Sequence, residues 1–288
     1  MRGHRNAPYA GPNATLGADG GVTFYTRAPW KNSKTVANRH FFERKAAGLL
    51  LACMATTVGG APAARATDFT FGGSLALTTD YIYRGLSQSG GQGAVQADLH
   101  VDTSGGTFAG VWGSTRDHDL VAYADYDLEA YLGQRFDLTN DWNLSLGVRG
   151  HFYLGGPGSN TDDYWELSAA LTYLDSWTFS LTVVPDAPRY WYEKSIPRST
   201  AWVPELSAQY LIGWGLFATA GVGYYYVSGT GPGIYAANGY AYGNLGLAYV
   251  WRQFRLDVAY FRTGDNADDV LPYPSANDRV AATLSWRF

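Results

Sequence analysis

The chain of 288 residues has one cysteine, Cys53, so no disulfide framework holds it together. Lysine nearly vanishes after the first 45 residues and the formal net charge is −4, which removes the basic surface that nucleic-acid binding needs. No apolar run reaches the roughly 18 residues of a membrane-spanning helix, so the chain is not a polytopic helical membrane protein. Disorder is excluded from the other side, because 46% of the residues are apolar and 16% are aromatic. What remains is a chain with 35 Gly, 22 Tyr and 10 Trp. Weakly acidic, lysine-poor chains of this kind have few settings, and the bacterial outer membrane is one of them.

Charge divides the sequence. Residues 1–66 carry nine Lys/Arg against the two acids Asp19 and Glu43, a balance of +7, and the remainder balances at −11. A break of this kind marks a targeting segment. Arg39, Arg44 and Lys45 form a basic stretch, an apolar stretch follows over 46–58, and Ala64-Arg65-Ala66 reads as a small-residue cleavage site. The expected organisation is a leader or over-extended start over 1–38, a secretory signal peptide over 39–66 and a barrel over 67–288. Cys53 could be a lipid-bearing cysteine, but the cleavage site at Ala64 and Ala66, just before the first strand, favours a small apolar residue inside the signal.

From Phe69 onward the apolar residues recur with period two. Trp142, Leu144, Leu146 and Val148 alternate with Asn143, Ser145, Gly147 and Arg149; Trp165, Leu167 and Leu171 alternate with Tyr164, Glu166 and Thr172. Thr107 to Thr115 is ambiguous, because Val111 and Trp112 compete for the apolar face. Soluble sandwiches alternate in the same way, so three further features decide. Connections alternate between short (near 103–106, 137–140, 175, 213 and 252) and long (near 86–91, 116–121, 154–162, 189–200, 228–238 and 264–276). Aromatics collect at strand ends: Phe69, Trp142, Trp177, Tyr210 and Trp251 near the short turns, and Tyr81, Tyr83, Trp165, Trp202, Tyr224 and Tyr260 near the long loops. Such double girdles mark the two interfaces of a membrane barrel. The last strand runs out at Phe288, expected to serve as the C-terminal assembly signal and to let that strand close the barrel. The fold class expected is all-β: a transmembrane up-and-down antiparallel β-barrel of about twelve strands, with both ends on the short-turn side.

If the apolar face meets lipid, the polar face lines a lumen. A charge at the bilayer midplane on the lipid side costs about 2–4 kcal/mol, so Asp80, Arg84, Asp98, Asp125, Asp127, Glu129, Arg149, His151, Glu166, Glu205, Arg255 and Asp257 are expected to point inward as pore-lining residues. Asp125, Asp127 and Glu129 share one face by their spacing, and a short turn returns the next strand to them. The expected pairing sets Arg149 opposite Glu129 or Asp127, and His151 opposite Asp127 or Asp125. That ladder reads either as an electrostatic constriction or as charge neutralisation that fixes register. About twelve strands lie between the filled interior of eight and the open channel of sixteen, which implies a narrow lumen.

Other motifs carry less. His100 and His151 point inward and His118 lies in a loop, while Ser159-Asn160 sits in a Gly-rich loop, so the triad of a barrel phospholipase is not assembled and no enzyme is expected. Asp265-Asn266-Ala267-Asp268-Asp269 lacks the glycine and glutamate of a calcium loop and, with Asp117, Asp119, Asp162 and Asp163, reads as an acidic rim that could hold ions bridging lipopolysaccharide. No cofactor and no metal site are expected. Tyr225, Tyr240 and Tyr242 are placed inward by parity and Tyr224 and Tyr226 outward, as girdle packing or as a solute track.

Thr79-Asp80-Tyr81-Ile82-Tyr83-Arg84-Gly85-Leu86-Ser87-Gln88-Ser89 resembles the opening signature of TorF, a porin family of proteobacteria. The resemblance continues, in order, through Phe108-Ala109-Gly110-Val111-Trp112-Gly113-Ser114, Asp127-Leu128-Glu129-Ala130-Tyr131, Tyr164-Trp165-Glu166-Leu167-Ser168 and Asn277-Asp278-Arg279-Val280. It implies an outer-membrane barrel and a channel, and it brings no catalytic residues. The function expected is passive diffusion of ions and small solutes with a weak cation preference, the alternative being a plugged structural barrel acting through its outer loops. Partners expected are outer-membrane lipid, lipopolysaccharide, the barrel-assembly machinery and the solutes.

Overall fold

The computed structural model describes residues 68–119, 124–156, 163–188, 198–231, 236–270 and 278–288, together with two short paired segments, β1 (Asn13–Ala14) and β2 (Phe24–Tyr25). The expected leader, the signal segment and its Ala64 and Ala66 lie outside the described residues, as do Cys53, Ser159, Asn160 and Asp162.

Twelve strands form one closed antiparallel barrel. They are β3 (Phe69–Thr78), β6 (Ala94–Thr103), β7 (Thr107–Thr115), β8 (Tyr126–Asp137), β9 (Trp142–Leu154), β10 (Tyr164–Tyr173), β11 (Trp177–Ala187), β12 (Ser199–Gly213), β13 (Leu216–Val227), β14 (Asn238–Trp251), β15 (Phe254–Thr263) and β16 (Arg279–Arg287). Each pairs with its neighbours along the chain, and β16 returns to β3. At that seam the Phe288 backbone exchanges two 3.1 Å hydrogen bonds with Gly73, so the final residue is part of the closure. Closure leaves no free sheet edge, which a chain surrounded by lipid requires because nothing there replaces a missing hydrogen bond.

The strands run from 9 to 15 residues; a tilted strand needs about 9–11 to cross a hydrocarbon core. Short connections (104–106, 138–141, 174–176, 214–215 and 252–253) alternate with long ones (79–93, 116–125, 155–163, 188–198, 228–237 and 264–278). In one of the two-residue turns, Trp214 and Gly215 both take positive φ, 49° and 85°. That is the type I′ geometry whose twist matches the flanking strands. The β12–β13 ladder is interrupted between Trp202–Tyr226 and Glu205–Gly223, at Pro204, which has no N–H to donate.

The outward face is apolar. Leu75, Leu77, Leu99, Val111, Leu128, Leu167, Leu245, Val258 and Leu284 are exposed there, although burying such a side chain is worth about 1.5–3 kcal/mol. Phe69, Phe71, Trp177, Tyr210, Trp251 and Phe288 stand out near the short turns, and Trp165, Trp202, Tyr224, Tyr226 and Tyr260 near the long loops. Two expected girdle members are misplaced by the sequence reading. Tyr81 is 1% exposed and Tyr83 is half-buried, because the wall strand ends at Thr78 and the chain then turns into the lumen. The ambiguous strand is settled too: Val111 faces out and Trp112 is buried inside.

Candidate functional site

The segment that leaves the wall after Thr78 forms a small hairpin inside the barrel, β4 (Ile82–Tyr83) paired with β5 (Leu86–Ser87). Its two-residue turn is Arg84-Gly85, with φ of 51° and 82°. Arginine rarely adopts that conformation; the left-handed region costs a non-glycine residue about 1–2 kcal/mol. Surrounding contacts hold it there. A Cβ on Gly85 would lie 2.7 Å from both Thr263 Oγ1 and Tyr242 Cβ, so the tip is pressed against β14 and β15.

The hairpin is fastened at both ends. At its base, Asp80 accepts from Ser87 Oγ at 2.6 Å, Ser89 Oγ at 3.0 Å and Arg279 Nη1 of β16 at 2.6 Å. Tyr81 packs on Trp112 and donates to Asp127 Oδ2 at 3.2 Å. At its tip, Arg84 Nη2 lies 2.8 Å from Glu166 Oε1 on β10, and Tyr83 donates to the same oxygen at 3.0 Å. Tyr240 Oη donates to the Arg84 carbonyl at 3.2 Å and Thr263 Oγ1 to the Gly85 carbonyl at 2.6 Å. The segment 79–93 thus spans from the β16–β3 seam to β10, β14 and β15.

This crossbar divides the interior unequally. Toward β7–β10 the lumen is filled by Trp112, Tyr131, His151, Tyr153 and Tyr164. Toward β12–β16 and β3 the inner wall mixes small residues, Ser74, Ala76, Gly221, Ala281, Thr283 and Ser285 among them, with the larger Glu205, Tyr242, Arg255 and Asp257, and a cavity of about 260 Å³ remains between that wall and the hairpin. Beyond the tip, toward the long loops, Leu86, Val184, Val203, Tyr225, Val227 and Tyr240 form an apolar cluster with Ala267 and Val270 of the short helix α1 (Ala267–Val270).

The filled side carries the densest charge. Asp127, Glu129, Arg149, His151 and Glu166 are all buried, Glu129 completely. The ladder sets His151 opposite Glu129 and Arg149 opposite Tyr131. The expected partners, Glu129 or Asp127 for Arg149 and Asp127 or Asp125 for His151, are therefore shifted. The turn falls at 138–141, later than the 137–140 expected, and every pair moves with it. Arg149 still reaches Glu129, leaning across the ladder to 3.3 Å from Oε2. His151 lies 3.4 Å from Glu129 Oε1, 4.0 Å from Asp127 Oδ1 and 3.5 Å from Glu166 Oε2, and stacks on Tyr164 at 4.4 Å. Asp127, Glu129 and His151 each bring one donor atom to within 4.8 Å of the others.

The remaining expected residues are dispersed. Asp80 and Arg84 lie on the hairpin and not on the wall. Asp98 is buried on β6, accepting from Tyr131 at 2.7 Å. Asp125 is not on the strand with Asp127; it precedes β8 and faces His118 at 3.0 Å near the surface. Glu205 accepts from Tyr242 at 2.8 Å. Arg255 and Asp257, two residues apart on one face of β15, pair at 2.6 Å beside the cavity. Tyr225 and Tyr240 point inward as parity requires, but they hold the hairpin and the apolar cluster. Asp265 and Asn266 are exposed at the long-loop end.

Sequence reasoning missed the crossbar, although a signal was present. Ile82-Tyr83 and Leu86-Ser87 flank Arg84-Gly85, and a two-residue connection ending in Gly between strand-forming residues marks a hairpin.

A family model described as "Bacterial protein of unknown function (Gcw_chp)" matches residues 62–283. No curated protein matches. Among solved structures, the NanC porin is 13% identical over 75% of this chain and 98% of its own, with a TM-score of 0.48. The KdgM porin in complex with disordered oligogalacturonate is 10% identical over 76% and 99%, with a TM-score of 0.46. The COG4313 outer membrane channel from Pseudomonas putida F1 is 13% identical over 77% and 95%, with a TM-score of 0.43. Identities this low carry no function across.

Proposed function

The chain belongs to the Gcw_chp family, and on that premise we propose that it is an outer-membrane barrel serving as a narrow, gated channel for ions and small solutes, without enzymatic activity. The observation that carries the reading is the uneven filling of the lumen. Its β12–β16 side combines small residues with Glu205, Tyr242, Arg255 and Asp257 around a cavity of about 260 Å³, space that a purely structural barrel would fill with side chains. The hairpin closes that cavity from the long-loop side, so conduction proceeds by displacement of the crossbar tip from Tyr240 and Thr263. The net charge of −11 beyond residue 66 favours cations weakly. The outward apolar face and the girdles support a bilayer setting, with lipid and lipopolysaccharide around the wall. The leader over 1–66, its cleavage at Ala64 and Ala66, the Phe288 assembly signal recognised by the barrel-assembly machinery and the TorF likeness belong to the same reading.

Osmotic swelling of vesicles carrying the folded protein tests it. Entry of small neutral solutes with a steep cut-off in size is the expected result; no entry of any solute, with the protein shown to be folded, would overturn it. A second reading, a plugged barrel that acts through its loops, draws on the apolar cluster formed by Val184, Val203, Tyr225 and Tyr240 beyond the hairpin. A barrel that stays impermeable after the tip contacts are removed would favour it.

A further inference from the structure

We propose that Asp127, Glu129 and His151 form a binding site for one divalent metal ion of the zinc class, with Glu166 orienting the imidazole. Asp127 Oδ2 accepts from Tyr81, Glu129 Oε2 faces Arg149 at 3.3 Å, and His151 Nε2 faces Glu166 Oε2 at 3.5 Å. Asp127 Oδ1, both Glu129 oxygens and both His151 nitrogens have no hydrogen-bond partner, and the three residues each bring one donor atom to within 4.8 Å of the others. All three side chains are more than nine-tenths buried. With the imidazole proton on Nε2, on the Glu166 side, Nδ1 and two carboxylate oxygens gather with no donor hydrogen among them, and one bound cation would satisfy all three.

His151 Nδ1 stands 3.4 Å from Glu129 Oε1 and 4.0 Å from Asp127 Oδ1. A metal about 2.0–2.2 Å from each ligand separates the ligands by about 3–4 Å. One imidazole and two carboxylates suit zinc, manganese or cobalt better than calcium, which takes oxygen alone. The carboxylate behind the histidine is the usual outer partner of a metal-bound imidazole. Arg149 and Arg116, 3.9 Å from Asp127 Oδ2, oppose a cation from the far oxygens, so affinity should fall below that of a site free of arginine. The site lies on the β8–β9 wall and does not depend on conduction.

The test uses the full chain folded in detergent, stripped with chelator and exposed to Zn²⁺ alone. About one zinc per barrel should remain after desalting, and excess Ca²⁺ should not displace it. His151→Gln and Asp127→Asn should lose it while keeping the heat-modifiable gel mobility of a folded barrel. His118→Gln, at the exposed pair with Asp125, should keep it, and Glu166→Gln should bind about 10–100-fold more weakly. X-ray absorption on wild-type protein, which needs no variant to fold, should give one imidazole and two carboxylates around zinc. Wild type that holds no more zinc than His151→Gln, zinc lost with His118→Gln, or a shell of several imidazoles would each overturn the proposal.

Discussion

Replacing Arg84 by methionine probes the crossbar at its most charged contact. The guanidinium lies 2.8 Å from Glu166, with each side chain 6% exposed. At an effective dielectric of about 20 the bare attraction is about 6 kcal/mol, and desolvation of both groups offsets most of it. Removing one partner leaves the other charged and buried, which costs about 3–5 kcal/mol in measured cases. Glu166 would keep the Tyr83 hydroxyl at 3.0 Å and His151 at 3.5 Å, so the lower end, about 3 kcal/mol, is expected. Arg84→Met with Glu166→Gln removes the orphaned charge and should recover about 2 kcal/mol of that loss. Reversible guanidinium unfolding of the barrel in lipid vesicles measures both values. If Arg84→Met alone cost under about 1 kcal/mol, the range of exposed pairs, or the double variant were the less stable, the crossbar would not rest on a buried ion pair.

The other expectations concern the same lumen. Gly85→Ala should destabilise the barrel and raise channel noise, because its φ of 82° disfavours a side chain and the new Cβ would meet Thr263 and Tyr242 at 2.7 Å; unchanged unfolding and current would contradict the tip's placement. Tyr240→Phe with Thr263→Val removes the two bonds to the tip carbonyls, worth about 0.5–1.5 kcal/mol each, and should lengthen channel openings in single-channel records. Asp257→Asn frees Arg255 beside the cavity and should shift the reversal potential in a salt gradient toward anions; an unchanged potential would place the path elsewhere.

The wall was legible because an apolar outer face and a polar inner face impose a period of two, and because turns and loops differ so sharply in length. Trp142, Leu146, Trp165 and Leu167 stand on the outer face as parity alone assigns them. The two-residue turn marks a hairpin, but nothing in the sequence places it inside the lumen, because Asp80, Tyr81, Tyr83 and Arg84 keep the spacing of a wall strand. Tyr81 and Tyr83 keep the spacing of girdle residues while facing Asp127 and Glu166. Trp112 was ambiguous for a related reason: its partner Tyr81 comes from that inserted segment, which wall periodicity does not describe. The charge cluster was found by residue but not by register. The turn at 138–141 places Glu129, not Asp127, opposite His151, and a shift of this kind is set by turn geometry more than by the strands.

Single-channel recording of the protein folded into a planar bilayer tests the central claim most directly. Discrete small steps, enlarged by Tyr240→Phe with Thr263→Val and leaning toward cations, are the predicted result. A silent bilayer, from protein shown to be folded and with the tip bonds removed, would contradict a gated channel.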